Sequence, residues 1–245
     1  MTHRIDIVQV RGNPMEVFLF TPAGEGQRTD NPGLVLCQHI PVGHTGLEND
    51  AVTLKTAERY CENGYAVAVP FIFHWWPKSA GIELKRAEFR DDWTRQDLDA
   101  AFALLAQRPA VDPKRIGIAG HCWGGRVAWL GACTNKRYKA CAIFYGGRVK
   151  LAMGPGTPPA IDLAPAIRCP VIGFFGNDDT NPTPGDVNDY DAALTRAGIE
   201  HVFHRYAGAG HAFQSFNSPE RYRKEASEDA WGKVLAFLAE KLKTR

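Results

Sequence analysis

Apolar positions fall into short runs separated by helix-length amphipathic stretches, after an opening of a different kind. In that opening, Ile5–Val10 and Glu16–Phe20 flank Gly12-Asn13-Pro14, and alternation around a turn signal predicts a β-hairpin. A polar, turn-rich stretch from Gly24 to Gly33 follows. The runs Leu34–Cys37, Ala66–Val69, Ile116–Ala119, Ala140–Tyr145, Val171–Phe175 and His201–Tyr206 then read as strands, and 49–63, 90–107, 124–134, 186–197 and 220–242 as helices. Within 90–107, Trp93, Leu98, Ala101, Phe102 and Leu105 recur at helical spacing until Pro109 ends the pattern. Trp231, Val234, Leu235 and Leu238 repeat it near the C-terminus. Strands alternating with helices predict an α/β fold, a mostly parallel central sheet with helices on both faces. Two stretches, 71–89 and 146–168, lack periodicity. Both follow predicted strands, on the side where open α/β sheets bind ligands, and are expected as lids or binding walls.

A chain of 245 residues with no internal repeat or linker suits one α/β domain over 1–245. With 29 Lys and Arg against 27 Asp and Glu, the net charge of +2 offers no basic footprint for nucleic acid. The longest apolar run, around Tyr65–Phe73, is too short to span a bilayer. Charge sits near Met1 where a signal peptide needs an apolar stretch. The expectation is a cytoplasmic protein, without membrane partners, acting as a monomer or small homo-oligomer on a small molecule. Six cysteines without a CxxC form neither a disulfide framework nor a zinc pattern, and no helical histidine pair joins a carboxylate. Gly24-Glu25-Gly26 and Gly154–Pro159 lack the strand–helix setting of phosphate loops. No metal or nucleotide is therefore expected.

One cysteine stands apart. Arg115-Ile-Gly-Ile-Ala-Gly-His-Cys122-Trp-Gly-Gly-Arg reads as strand, sharp turn and helix, with small residues around a central nucleophile. Gly120 and Gly124 let strand and helix approach closely, the helix N-terminus favours a thiolate, and the Trp123 N–H is placed to serve an oxyanion hole. The plain alternative is a buried cysteine in a glycine-rich turn.

Chain order weighs against that alternative, because α/β-hydrolases present nucleophile, acid and histidine in sequence. One later apolar run ends in Phe175-Gly-Asn-Asp-Asp179-Thr, another in Tyr206-Ala-Gly-Ala-Gly-His211-Ala-Phe. Asp179 and His211 thus follow strands on the same sheet edge as Cys122. His211 is the expected base and Asp179 its orienting acid, with Asp178 the competing acid or a turn residue.

The set Gly-His-Cys122-Trp-Gly-Gly, Gly-Asn-Asp-Asp179 and Gly-Ala-Gly-His211-Ala-Phe resembles the dienelactone hydrolase family. Asp97-Leu-Asp-Ala-Ala-Phe and Asp112-Pro-Lys-Arg-Ile-Gly are similar to it as well, so the resemblance runs from about Gly33 to the last helix. It implies a cofactor-independent hydrolase of cyclic or activated esters that uses a Cys-His-Asp triad, here Cys122, His211 and Asp179. Three positions depart from the pattern. His39 follows Gln38 where the founding enzymes carry a glutamate that pairs with the resting nucleophile. Two arginines that hold the substrate carboxylate are replaced, one by the Phe71-Ile-Phe-His-Trp-Trp stretch and the other by Ser215.

The Ile40 N–H is the expected second oxyanion donor. His39 either lines the site and pairs with the thiolate or makes a local hydrogen bond elsewhere, while His44 and His74 read as surface-loop residues. Phe71, Phe73, Trp75 and Trp76 are expected either as an apolar substrate wall or as a satellite core. The missing clamp predicts a neutral or aromatic ester or lactone against that wall, and Arg148 is the residue from which an anionic substrate would be held instead. Rival functions are acyl transfer or thioester hydrolysis by the same triad, and a non-catalytic ligand-binding or redox-sensing homologue.

Overall fold

The computed structural model describes residues 3–22, 30–40 and 44–244; Met1 and the Gly24–Gly26 segment considered above lie outside them. Eight strands form one sheet: β1 (Arg4–Val10), β2 (Asn13–Phe20), β3 (Asn31–Cys37), β4 (Ala66–Pro70), β5 (Val111–His121), β6 (Cys141–Phe144), β7 (Val171–Gly176) and β8 (His201–Tyr206), in the spatial order β1-β2-β4-β3-β5-β6-β7-β8. The β1–β2 hairpin turns through Arg11 and Gly12, both at positive φ, and β2 meets β4 antiparallel. Every pairing from β4 onward is parallel. Strands β3, β4, β6 and β7 are buried along their whole length, because helices cover both sheet faces, and this is why they read as unbroken apolar runs. The closing strand β8 lies at the sheet edge and is nowhere fully buried.

The helices are α1 (Ala51–Glu62), α2 (Ile82–Ala87), α3 (Asp91–Ala106), α4 (Trp123–Thr134), α5 (Pro184–Arg196) and α6 (Lys224–Leu242). Asp50 caps α1 by accepting from the Thr53 N–H, and Thr183 with Asp186 forms a capping box on α5. Among the described residues no helix is long and apolar enough to cross a membrane.

The two stretches expected to be irregular are more ordered than their sequence suggests. In 71–89, Phe71, Ile72, Phe73 and Trp76 turn inward, and α2 follows with Lys85 buried and donating to the Lys78 carbonyl. In 146–168, a 3-10 helix over Ala160–Ala166 docks on α4, where the Trp129 indole N–H donates to the Ala160 carbonyl at 2.9 Å. The Arg126 guanidinium binds Asp91 through two nitrogens at 2.6 and 2.8 Å and also donates to the carbonyls of Arg148 and Leu151. Single polar anchors of this kind leave no periodic signal. β5 also begins earlier than its apolar run, since Val111 pairs with Asn31.

Candidate active site

Cys122 occupies the turn from β5 into α4 with φ 55° and ψ −118°, a conformation that L-residues rarely adopt. Neighbouring structure enforces it. The Cys122 N–H donates to the Phe144 carbonyl at 2.9 Å. Gly120 and Gly124 sit where no side chain fits, for a Cβ on Gly120 would lie 2.0 Å from the Gly124 oxygen and one on Gly124 would lie 2.3 Å from the Cys37 oxygen. Strand and helix therefore cross at backbone contact, and the thiol stands at the carboxyl edge of the sheet.

Two other strand ends deliver its partners. Asp179 follows β7, is 4% exposed, and accepts from the Asn181 N–H at 2.8 Å. His211 follows β8, donates from Nδ1 to Asp179 Oδ2 at 2.9 Å, and has Nε2 2.9 Å from Cys122 Sγ. The bond to Asp179 fixes which ring nitrogen faces the sulfur. Asp178 is exposed, so of the two candidate acids the structure brings Asp179 to the histidine.

Charge and burial act in opposite senses on this pair. Burial disfavours a thiolate at Cys122, but hydrogen bonds and charge from His211 and His39 outweigh it and bring the thiol down to about 5. Burial likewise penalises a charged His211, while Asp179 and the sulfur raise it to about 10. Both shifts favour a thiolate beside an imidazolium.

A cavity of about 730 Å³ opens over Cys122. Trp123 and Ile40 both line it, and the Trp123 N–H, in the first turn of α4, has no helical carbonyl to meet. His39, Asp50, Arg148 and Ser215 also line it, as do Arg221 and Arg223 from the segment before α6. Arg148 and Arg223 are exposed, and Arg223 donates to the carbonyls of Gly208, Glu220 and Tyr222.

A family model described as "Dienelactone hydrolase family" matches residues 15–242. The chain belongs to the dienelactone hydrolase family. It is accordingly a hydrolase with the mostly parallel α/β sheet of that fold. It is 32% identical over 200 residues to a Synechocystis protein named "Putative carboxymethylenebutenolidase", covering 76% of this chain and 79% of that one. A Methylorubrum extorquens protein of the same name is 36% identical over 146 residues, 59% of this chain and 49% of that one. The crystal structure of a "Putative Dienelactone Hydrolase" from Klebsiella pneumoniae superposes with a TM-score of 0.83 at 25% identity, covering 98% of this chain and all of the other.

Against the dienelactone hydrolase pattern, the aromatic residues after β4 are the main correction. Phe71, Phe73, Trp75 and Trp76 are not among the residues that line the cavity. Phe73 packs on Phe89 and Trp123, Trp75 stacks on Trp93, and the Trp75 and Trp76 indoles donate to Asp97 and Glu88. They form a satellite core, since four large rings bury more area by meeting one another and α3 than by facing solvent. His74 departs from its expected surface position too. Its side chain is 2% exposed and hydrogen-bonds Asp97 at 2.9 Å. His44 is exposed and bonded to the Ser79 carbonyl.

Arg221, Arg223 and Asp50 at the cavity were not singled out from sequence. Asp50 falls inside the helix expected over 49–63, whereas in the structure it caps α1 from just outside it and lines the cavity. The arginines fall at the start of the helix expected over 220–242, which in the structure begins only at Lys224, and the folded chain shows that both reach the cavity over Cys122.

Proposed function

We propose that this chain hydrolyses a small ester or lactone through a thioester acyl-enzyme on Cys122. The observation that carries the reading is the relay of two 2.9 Å contacts, Asp179 to His211 and His211 to the Cys122 sulfur. The thiolate attacks the ester carbonyl, and the oxyanion gathers hydrogen bonds from the N–H groups of Trp123 and Ile40. The carbon–oxygen bond to the leaving group breaks, and the imidazolium of His211 gives that oxygen its proton. In a lactone the leaving oxygen stays on the same molecule. Neutral His211 then takes a proton from water, hydroxide adds to the thioester, and the thiolate departs. The resting pair is restored, with one ester and one water converted to an acid and an alcohol.

The cavity walls favour a substrate with negative charge. Guanidinium groups bind carboxylates well because their planar fork matches two oxygens, and Arg148, Arg221 and Arg223 line the space while the aromatic cluster does not. This reading replaces the neutral aromatic ester expected from sequence. The test is intact-mass detection of an acyl adduct on wild type and Cys122→Ala, using a panel of lactone carboxylates and their methyl esters. An adduct that disappears in Cys122→Ala, with free acids preferred in kcat/KM, supports the proposal. Turnover persisting in Cys122→Ala refutes it, and oxidation of the thiol without any adduct points to a redox sensor.

A further inference from the structure

Cys122 has two imidazoles beside it, and the relay above uses one of them. His39 arrives from the segment after β3, whereas His211 follows β8. Both rings belong to the cavity over the same sulfur, His211 at 2.9 Å from it and His39 in the cavity wall, near enough for its charge to act on the thiol. A buried network holds His39 in place. Its backbone N–H donates to Thr53 Oγ1 at 3.1 Å, and the Thr53 hydroxyl donates in turn to Asp50 Oδ2. Asp50 is buried at the α1 cap and lines the same cavity. Cys122 thus shares one cavity with two histidines and two carboxylates, Asp179 and Asp50, contributed by separate loops on one sheet edge.

We propose that His39 is a second catalytic imidazole, which with Asp50 behind it holds the Cys122 sulfur as a thiolate before any substrate arrives. The inference rests on the reading of Cys122 as nucleophile. Four titratable groups face the His39 ring. The sulfur and Asp50 favour its charged form, while His211 opposes it. His121 is the fourth, and burial first of all, then the charge on His39, pushes it down to about 3. His121 therefore stays neutral and leaves the sulfur to the other two rings. Burial alone would keep His39 neutral, yet the bond and charge of the sulfur, with Asp50, raise it overall.

The chemical consequence falls on deacylation. When water adds to the thioester, the carbon–sulfur bond breaks and the electron pair returns to sulfur. A sulfur met by His39 is the better leaving group, because a thiol of lower pKa is expelled faster. His211 has by then taken the water proton and His39 needs no proton of its own, so the balance of the reaction is unchanged.

The experiment measures alkylation of the free enzyme by iodoacetamide from pH 4 to 10, with Cys122→Ala as background and thermal unfolding as the check on folding. Wild type should react as a thiolate down to about pH 5. In His39→Gln the midpoint should lie about one to three pH units higher, the range typical of removing an adjacent opposite charge. In His39→Glu it should lie higher still, because a carboxylate repels the thiolate. The acyl adduct should accumulate in both variants. Should His39→Gln not fold, His39→Asn carries the same test. A midpoint unchanged from wild type in a folded variant overturns the proposal. Since alkylation needs no ester, an acid-shifted midpoint that depends on His39 in an enzyme forming no adduct would uphold the role of His39 and refute the hydrolytic reading. Ester turnover with an unchanged midpoint would do the reverse.

Discussion

Removing the Arg126 guanidinium tests how the cavity wall is built. Arg126 lies on α4 with its side chain 1% exposed, and Asp91, at the start of α3, is 5% exposed. Four hydrogen bonds leave the guanidinium, two to Asp91 and one each to the carbonyls of Arg148 and Leu151. The Asp91 N–H also donates to the Met153 carbonyl at 2.9 Å, so one buried charge pair ties α3, α4 and the 148–153 wall together. Arg126→Met fills a similar volume but leaves the carboxylate without its partner, which typically destabilises by about 3–5 kcal/mol. The double variant Asp91→Leu/Arg126→Met removes both charges and should recover a large part of that loss, since apolar replacement of a whole buried pair is often neutral or stabilising. Urea unfolding of wild type, both single variants and the double variant completes the cycle. Because the Arg148 carbonyl loses its anchor, KM for an anionic ester should rise in the double variant while kcat changes little. An Arg126→Met protein within about 1 kcal/mol of wild type, the size of an exposed ion pair, would refute the reasoning.

Other variants test the elbow and the triad. Asp179→Asn should lower kcat by about 10⁴, the size of a wrong imidazole tautomer in triads of this kind, while Asp178→Asn should leave it nearly unchanged; steady-state kinetics on both variants separate them. Gly124→Ala should destabilise by about 3 kcal/mol or more, beyond ordinary overpacking, because its methyl meets backbone oxygen and not a movable side chain. Chemical denaturation measures that loss. Stability should also follow the resting pair. The raised His211 contributes fully below its ordinary 6.5 and loses that as pH rises towards about 10. The lowered Cys122 contributes fully above its ordinary 9.0 and loses that as pH falls towards about 5. Their sum is flat from 6.5 to 9.0 and declines on both sides; because Asp179 still raises His211 in Cys122→Ala, the stability difference between wild type and that variant should shrink as pH falls towards 5 and again as it rises from 9 to 10.

Legibility followed periodicity and chain order. The central parallel strands show as apolar runs because they are buried on both faces, and the runs of β5, β7 and β8 end just before the residues that meet over Cys122. That is how Cys122, Asp179 and His211 were traceable although 89 residues separate the first from the last. Features resting on one side chain meeting one distant partner were not traceable. Phe71, Phe73, Trp75 and Trp76 carry the same letters whether they wall a cavity or fill a satellite core, and the choice depends on Phe89, Trp93 and Asp97, which reach them through the fold. The short helix α2 was hidden in the same way, since six residues are too few to establish a period. Asp91 and Arg126 look like two ordinary surface charges until α3 and α4 are packed together.

The placement of β8 gives the enzyme a vulnerable margin. His211 hangs from the outermost strand, which has a neighbour on one side only, whereas Cys122 hangs from β5, with β3 and β6 on either side. Edge elements open at lower free energy than the centre of a sheet. A brief detachment of the rim would carry the His211 imidazole away from a sulfur that stays in position. Working capacity would then fade on warming ahead of the collapse of the interior, so that the chemistry reports the state of the molecule's border and the bulk optical signal reports its middle.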